Sequence, residues 1–312
     1  MKKHIPFILV SLLISSCEYS FDVESPIREP ILSFKYISGM NTSCDSTCYF
    51  EIELLSPVGG KMIENNEYVI QKLNFTADGK EVEWEREINV HTGEPGTRYK
   101  AKMPNLPETK LELYMEAEGL KPISASVVIP EKPDFKYNCF KEKTTQDEDN
   151  TNYIVEVIVD NVRDEDYLGI KIDWDSGWGQ RPTLYIKGVG ADYSLMNSPD
   201  YMFYHWEDDF FFLIGKNEIQ NGKLYFQTEL GFETKEDMRI KLYRFSPETY
   251  SYFFSSYNNA ENVLGHYNLA PPVFVYTNIK SGFGILGAAS CTELKMEFNE
   301  QTTDQFSDRP QS

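Results

Sequence analysis

Histidine is scarce in this chain. Four occur among 312 residues, at His4, His91, His205 and His266. They stand singly, so no histidine-rich metal site is available, and His205 and His266 meet only if the fold brings them together. His91 reads as a solvated loop residue. Basic side chains are also short: 30 Lys and Arg face 49 Asp and Glu, a formal net charge of −19. That balance argues against nucleic acid as a partner and against electrostatic docking on anionic lipid. No GxSxG, HExxH or glycine-rich phosphate loop is present, which removes the common hydrolase, zinc-protease and nucleotide-binding signatures. No apolar run is long enough to cross a bilayer; Ile5 to Ile14 is interrupted by Pro6 and Ser11. Long helical periods are missing too, with one exception.

What the chain does have begins at its front. Lys2 and Lys3 precede the apolar run, and small Ser15 and Ser16 precede Cys17. This is the layout of a signal peptide over residues 1–16. Ile14-Ser15-Ser16-Cys17 resembles the bacterial lipobox, which implies a lipid on the Cys17 sulfur and cleavage just before it. Acyl chains contribute about 0.8 kcal/mol per buried CH₂, so such an anchor holds a protein to a membrane almost irreversibly. Glu18, Asp22 and Glu24 follow without apolar periodicity, and residues 17–30 read as a lipidated tether. Acidic residues after a lipid cysteine resemble a Bacteroidota signal for export to the cell surface. Cleavage would leave 28 basic residues against 49 acidic ones, a net charge of −21.

Besides Cys17 there are four cysteines, an even number for an exported protein. Cys44 and Cys48 are separated by Asp, Ser and Thr, and a small disulfide loop closing a turn is the simplest reading. Cys139 and Cys291 would staple the first strand of the second domain to its last. Three connectivities are possible. A zinc site at Cys44 and Cys48 has the wrong spacing and no nearby histidine.

Tyr and Phe number 20 each, and apolar residues alternate with polar ones through most of the chain, which favours sheet. The expected fold is mainly β: an N-terminal Ig-like β-sandwich followed by a larger antiparallel β domain carrying one amphipathic helix. Residues 31–131 supply about seven short strands with regular turn signals, the sandwich pattern. Pro130 and Pro133 punctuate the chain, and residues 134–298 form the larger domain. Asp160 to Asp166 reads there as a solvated acidic turn. Asp164-Glu165-Asp166 lacks the spacing of an EF-hand calcium loop. Asn221-Gly222 is a hairpin signal. Residues 299–312 are polar and read as a flexible tail.

The exception among helical periods lies near residues 247–262. Ser246 suits the N-cap, Pro247 the first turn and Glu248 the positive end of the dipole. Tyr250, Phe253, Phe254 and Tyr257 recur at i, i+3, i+4 and i+7 and read as a core face. Pro271 and Pro272 bar continuation, Val273–Tyr276 reads as a strand, and Gly282, Gly284 and Gly287 permit tight or positive-φ backbone.

Tyr250–Tyr257, Pro272–Ile279 and Gly282–Ala288 together resemble the C-terminal signature of a Bacteroidota outer-membrane lipoprotein family, domain of unknown function 4249. The lipobox, the closing stretch Ser124–Pro133, the Asp160–Tyr167 turn and Asn221-Gly222-Lys223 resemble that family as well. Lys280-Ser281-Gly282 departs from it, where a glycine pair is expected. The resemblance implies an accessory to a TonB-dependent outer-membrane transporter in nutrient uptake, and carries over no catalytic residue, cofactor or metal.

The functional expectation is a lipid-anchored binding protein of the outer membrane, exposed on the cell surface, with the membrane and a transporter as partners. Trp174, Trp178, Tyr201, Tyr204 and Trp206 are the candidate ligand-binding residues, because loop aromatics stack on sugars or grip peptides. A structural or adhesive surface module is the second class. A glycosidase built on Asp173, Asp175, Glu207, Asp208 and Asp209 is the third.

Overall fold

Alternating residues make strands here, and an interruption of the alternation by Pro, Gly or Asp ends them. The computed structural model describes residues 29–40, 47–55, 69–88, 93, 95–103, 106–141, 151–160, 162–163, 166–174, 183–185, 212–214, 223–230, 238–262, 265, 271, 273–297 and 299–302. The first strands are β1 (Ile31–Ser38), β2 (Thr47–Leu55), β3 (Ile70–Ala77), β4 (Lys80–Glu81), β5 (Trp84–Ile88), β6 (Pro95–Lys102), β7 (Lys110–Ala117) and β8 (Ile123–Val128). A linker leads to β9 (Asp134–Lys141), β10 (Thr151–Asp160), β11 (Tyr167–Trp174), β12 (Thr183–Tyr185), β13 (Phe212–Ile214), β14 (Lys223–Leu230) and β15 (Met238–Phe245). Helix α1 (Pro247–Glu261), β16 (Phe283–Lys295) and β17 (Asn299–Thr302) follow. The fold is mainly β, as expected.

Three sheets build it. The largest has eight strands in the order β13-β11-β15-β16-β1-β2-β6-β5. A four-stranded sheet, β4-β3-β7-β8, and a five-stranded sheet, β12-β14-β10-β9-β17, complete the set. Period-2 alternation assigns the faces of the large sheet. Leu32, Phe34, Tyr36, Leu286 and Ala288 pack with β3, β7 and β8 in one core. Ile240, Leu242, Leu294 and Met296 pack with β9 and β10 in a second. On the opposite face Ile37, Tyr243, Phe245, Ile285 and Ala289 meet Phe253 of the helix. The large sheet is thus overlain by two smaller sheets side by side, with the helix behind.

The sequence boundary near residues 131–134 does not divide the hydrogen bonding. Strand β16 serves both lobes: Phe283–Ala288 pair in parallel with Ser33–Ser38, and Ala289–Lys295 pair antiparallel with Phe245–Arg239. Its change of partner leaves an edge with nothing strand-like beside it, and side chains fill the gap. Asn278 binds Leu286 with its amide, donating to the carbonyl at 2.8 Å and accepting from the N–H at 3.0 Å. The Thr249 hydroxyl does the same for Ala288, at 3.1 and 2.8 Å, and the Ser246 N–H adds a bond to the Ala288 carbonyl at 2.9 Å. The backbone groups of Leu286 and Ala288 thus avoid the cost of burial without a partner.

The helix follows its sequence signals. Ser246 caps it and accepts from the Thr249 N–H, with Pro247 at its start and Glu248 in the first turn. Phe253 and Tyr257 are buried, but Phe254 is 46% exposed, so the aromatic stripe is core on one side only. Phe254 instead lies against the Tyr250 ring, centroids 6.3 Å apart. The strand expected at Val273–Tyr276 is not one. Helix side chains take its backbone: Asn259 donates to the Val273 carbonyl, Asn262 to that of Pro271 at 2.9 Å, and the Tyr276 N–H donates to Ser255 Oγ at 2.7 Å. The tail expected from residue 299 begins as β17, which pairs with β9 through Asn299 and Phe140.

The glycines near residue 284 are explained by close approach. Gly284 has φ 99°, and a β-carbon there would fall on the Phe34 carbonyl. A β-carbon on Gly287 would lie 2.5 Å from Thr249 Oγ1, the atom that bonds Ala288. Ser281, where a glycine is expected, holds φ 61°, a conformation that costs an L-residue about 1–2 kcal/mol. Two substitutions should therefore move stability oppositely. Gly284→Ala should lower it by about 3 kcal/mol, and Ser281→Gly should raise it by about 1 kcal/mol, read as shifts of urea midpoint at constant slope.

Candidate functional site

The two overlying sheets part above the middle of the large sheet, and residues 129–133 cross that seam. Inward-facing side chains of the large sheet hold the crossing down. Ser290 donates to the Glu131 carbonyl at 2.6 Å, Thr292 to the Pro133 carbonyl at 2.5 Å, and Arg244 Nη1 to the Glu131 carbonyl at 3.3 Å. Beside the crossing lies a cleft of about 430 Å³. Its walls come from the end of β8 (Ser126, Val128), the linker (Pro130, Glu131), the turn before β11 (Arg163, Asp166) and the β15–α1 junction (Arg244 to Glu248).

Arg244 is the central group. It follows Ile240 and Leu242 on the inward side of β15, so the alternation that buries those two buries it as well. Its side chain is 8% exposed, and Asp166, at 7%, accepts from Nη2 at 3.1 Å. Asp166 also accepts from the Arg163 N–H at 2.9 Å, and the Arg163 guanidinium pairs with Glu131. Nε of Arg244 is buried and has no hydrogen-bond partner among the described residues. Desolvating an N–H of a charged group without a partner is costly. The cleft therefore carries three cations, Lys110, Arg163 and Arg244, and three carboxylates, Glu131, Asp166 and Glu248. Apolar wall comes from Val127, Val128, Pro130, Phe245 and Pro247. Such lining could meet a polar molecule through its charges and an apolar group through its walls.

At Ser126 the cleft meets a shallower groove of about 610 Å³ over the outward face of β3, β7 and β8. Asn74, Thr76, Glu112, Tyr114 and Ser124 line it. The Lys72 ammonium sits 5.2 Å above the Tyr114 ring, and the Tyr114 hydroxyl donates to Glu116.

Among the expected site residues, Cys17, Cys44, Trp178, Tyr201, Tyr204 and Trp206 lie outside the described residues. Trp174 ends β11, opposite Met238. Asp173 pairs across the strands with Arg239, while Asp175, Glu207, Asp208 and Asp209 lie outside. The expected Cys139–Cys291 staple is not formed. Cys139 belongs to the core between β9 and the large sheet, whereas Cys291 packs on the helix side of that sheet, so the sheet stands between them. Cys48 is a buried thiol beside Tyr36, and burial pushes both of their acidities toward higher pKa.

The turn read as solvated supplies Asp166, which is buried instead, and Arg244 was not singled out at all. Its signal was nonetheless present: a cation on the apolar parity of an alternating strand needs a buried partner. Removing that partner has a definite consequence. Asp166→Ala leaves the Arg244 charge uncompensated and should cost about 3 kcal/mol or more in chemical denaturation. Adding Arg244→Met to it should recover a large part of that loss.

A family model described as "Domain of unknown function (DUF4249)" matches residues 57–295. Against curated proteins the chain has no match.

Proposed function

The chain belongs to the DUF4249 family, and we propose that it is a lipid-anchored binding protein of the outer membrane that serves a TonB-dependent transporter in nutrient uptake. One observation carries the binding part of this reading. The seam cleft holds a buried guanidinium with an uncommitted N–H, together with charges of both signs on a largely apolar wall. A surface maintained only for solubility has no reason to bury such a group.

The anchoring part is supported by Ile14-Ser15-Ser16-Cys17 and by the direction of the chain that follows it. Glu29 pairs with Lys121 in the β7–β8 turn, and β1 then runs from that end toward the seam. Eight strand residues cover about 25 Å. A lipid on Cys17 would join the chain to the membrane 12 residues before Glu29, at the end of the first sandwich remote from the cleft. Surface exposure is the orientation this reading takes.

The single shared sheet favours a second reading, an adhesive or structural module, because it joins the lobes without a hinge. The two readings differ in partners. Gentle extraction of outer membranes should yield the protein with a transporter in stoichiometric amount; its isolation alone under every growth condition tested would support the adhesive module. Cys17→Ser should abolish acylation, seen as loss of the lipid mass on the N-terminal peptide, and should release the protein from the membrane fraction. Retention of the variant at wild-type level would refute the anchor.

A further inference from the structure

Strand β8 is an edge of the four-stranded sheet, and the direction of its backbone groups can be read residue by residue. The Ile129 N–H donates to the Thr109 carbonyl and its carbonyl accepts from the Glu108 N–H, so odd positions face β7. Even positions face the open side. Ser124 shows this directly, exchanging N–H···O bonds with Lys280 at 3.3 and 2.8 Å, an isolated bridge in which this chain already adds a piece of strand to that edge. Two and four residues on, the N–H and C=O of Ser126 and Val128 point the same way, with no partner among the described residues, and the seam cleft lies there. The Val128 side chain beside them is 51% exposed.

From this row of backbone groups, we propose that the cleft binds a short free peptide in extended form, added as a strand to the β8 edge at Ser126 and Val128. The proposal rests on the binding reading above and names its ligand class. Main-chain pairing recognises any extended peptide, and alternate side chains enter the cleft or leave it. Two paired positions fit a segment of about three residues, since antiparallel partners exchange bonds at every second residue. The charges specify a free peptide over a loop of a larger protein. A free tripeptide carries an ammonium and a carboxylate one strand-length apart, about 7–10 Å. Among the wall's charges, Glu131 and Arg163 are paired with each other and Lys110 with Glu112, which leaves Glu248 for the first and Arg244 Nε for the second. Binding a carboxylate would give the Arg244 Nε–H a partner, which it lacks among the described residues.

The test separates backbone from side-chain recognition at a single residue. Mature full-length protein in detergent is titrated calorimetrically with Ala-Ala-Ala, Val-Thr-Val and Ala-Tyr-Ala. Wild type should bind, and Ser126→Ala should lose far less than Ser126→Pro, because the edge N–H is kept. Ser126→Pro should bind at least tenfold more weakly with an unchanged melting curve, because proline removes that N–H while the β7 side of the strand keeps its bonds. Val128→Pro, whose amide points the same way, takes its place if Ser126→Pro does not fold. N-acetylated, C-amidated forms of the same peptides should lose at least tenfold as well. Failure of all three peptides to bind wild type, or equal binding by the proline variants, overturns the proposal. Equal affinity for the blocked peptides overturns the assignment to a free peptide. Binding of maltohexaose in place of the peptides, unaffected by Ser126→Pro, overturns it in favour of a sugar site on the Tyr114 groove. None of these results bears on acylation of Cys17 or on co-purification with a transporter, so the anchored-accessory reading stands or falls separately.

Discussion

The hydrogen bonding of strand β16 is the constraint on which the rest depends. A strand of 13 residues, buried over Gly284–Ser290, must find partners there for the N–H and C=O groups along both edges. On one edge β1 covers the first half. On the other, β15 covers only the second half, because β15 turns into the helix at Ser246. Two of the residues these strands do not cover, Leu286 and Ala288, are served by the Asn278 amide, the Thr249 hydroxyl and the Ser246 N–H. Each of these requires something else. Thr249 reaches Ala288 only if the helix starts at Pro247 and lies close, which leaves no room for a side chain at Gly287. Asn278 reaches Leu286 only if the chain doubles back sharply at Ser281 and Gly282, which puts Ser281 at positive φ.

The same strand determines where charge is tolerated. Residues on its inward side pass from one core to the other, Ala288 in the first and Leu294 in the second, and between them lie Ser290 and Thr292. These two face the seam, where neither small sheet covers the large one. Their hydroxyls bond the linker carbonyls in place of packing against a sheet. Arg244, directly across from Ser290, meets the same gap and is stabilised there by Asp166 and the Glu131 carbonyl. A cation at this parity elsewhere along β15 would be driven into a hydrophobic core, at the cost of an unpaired buried charge. The polar cleft is thus a consequence of two sheets sharing a third without meeting.

Local signals carried much of this into the sequence. The strands of the first sandwich were legible because Phe50, Ile52 and Leu54 alternate with glutamates, and the helix because Ser246, Pro247 and Glu248 all mark the same start. The missing glycine at Ser281 was legible as a departure before its φ gave it a cost. What was not legible depends on contacts distant in sequence. Val273–Tyr276 has strand composition, yet Ser255 and Asn259 of the helix take its hydrogen bonds, so its residues never join a sheet. Cys139 and Cys291 sit on strands whose sheet positions period alone does not give, and the sheet between them rules out the staple. The linker prolines read as a boundary, and locally they are one. That β16 returns more than 240 residues later to pair with β1 leaves no mark in either strand's own pattern. The cleft was missed for the same reason: Ser126, Arg163 and Arg244 are each unremarkable until three segments converge.

A shared strand also limits how the cleft works. Domain closure around a ligand needs a hinge, a few residues free to change φ and ψ while both lobes stay intact. Here the lobes are joined by the pinned linker and by β16, whose bonds on both edges would have to break for the seam to open or shut. The cleft is therefore preformed. In the proposed reading its selectivity comes from groups already held in place, the β8 edge and the Arg244 guanidinium, and little ordering cost would fall on the protein when they are engaged. A carrier that hands its cargo to another protein benefits from that arrangement. For the proposed carrier, release would need no slow opening step, because no hinge has to move.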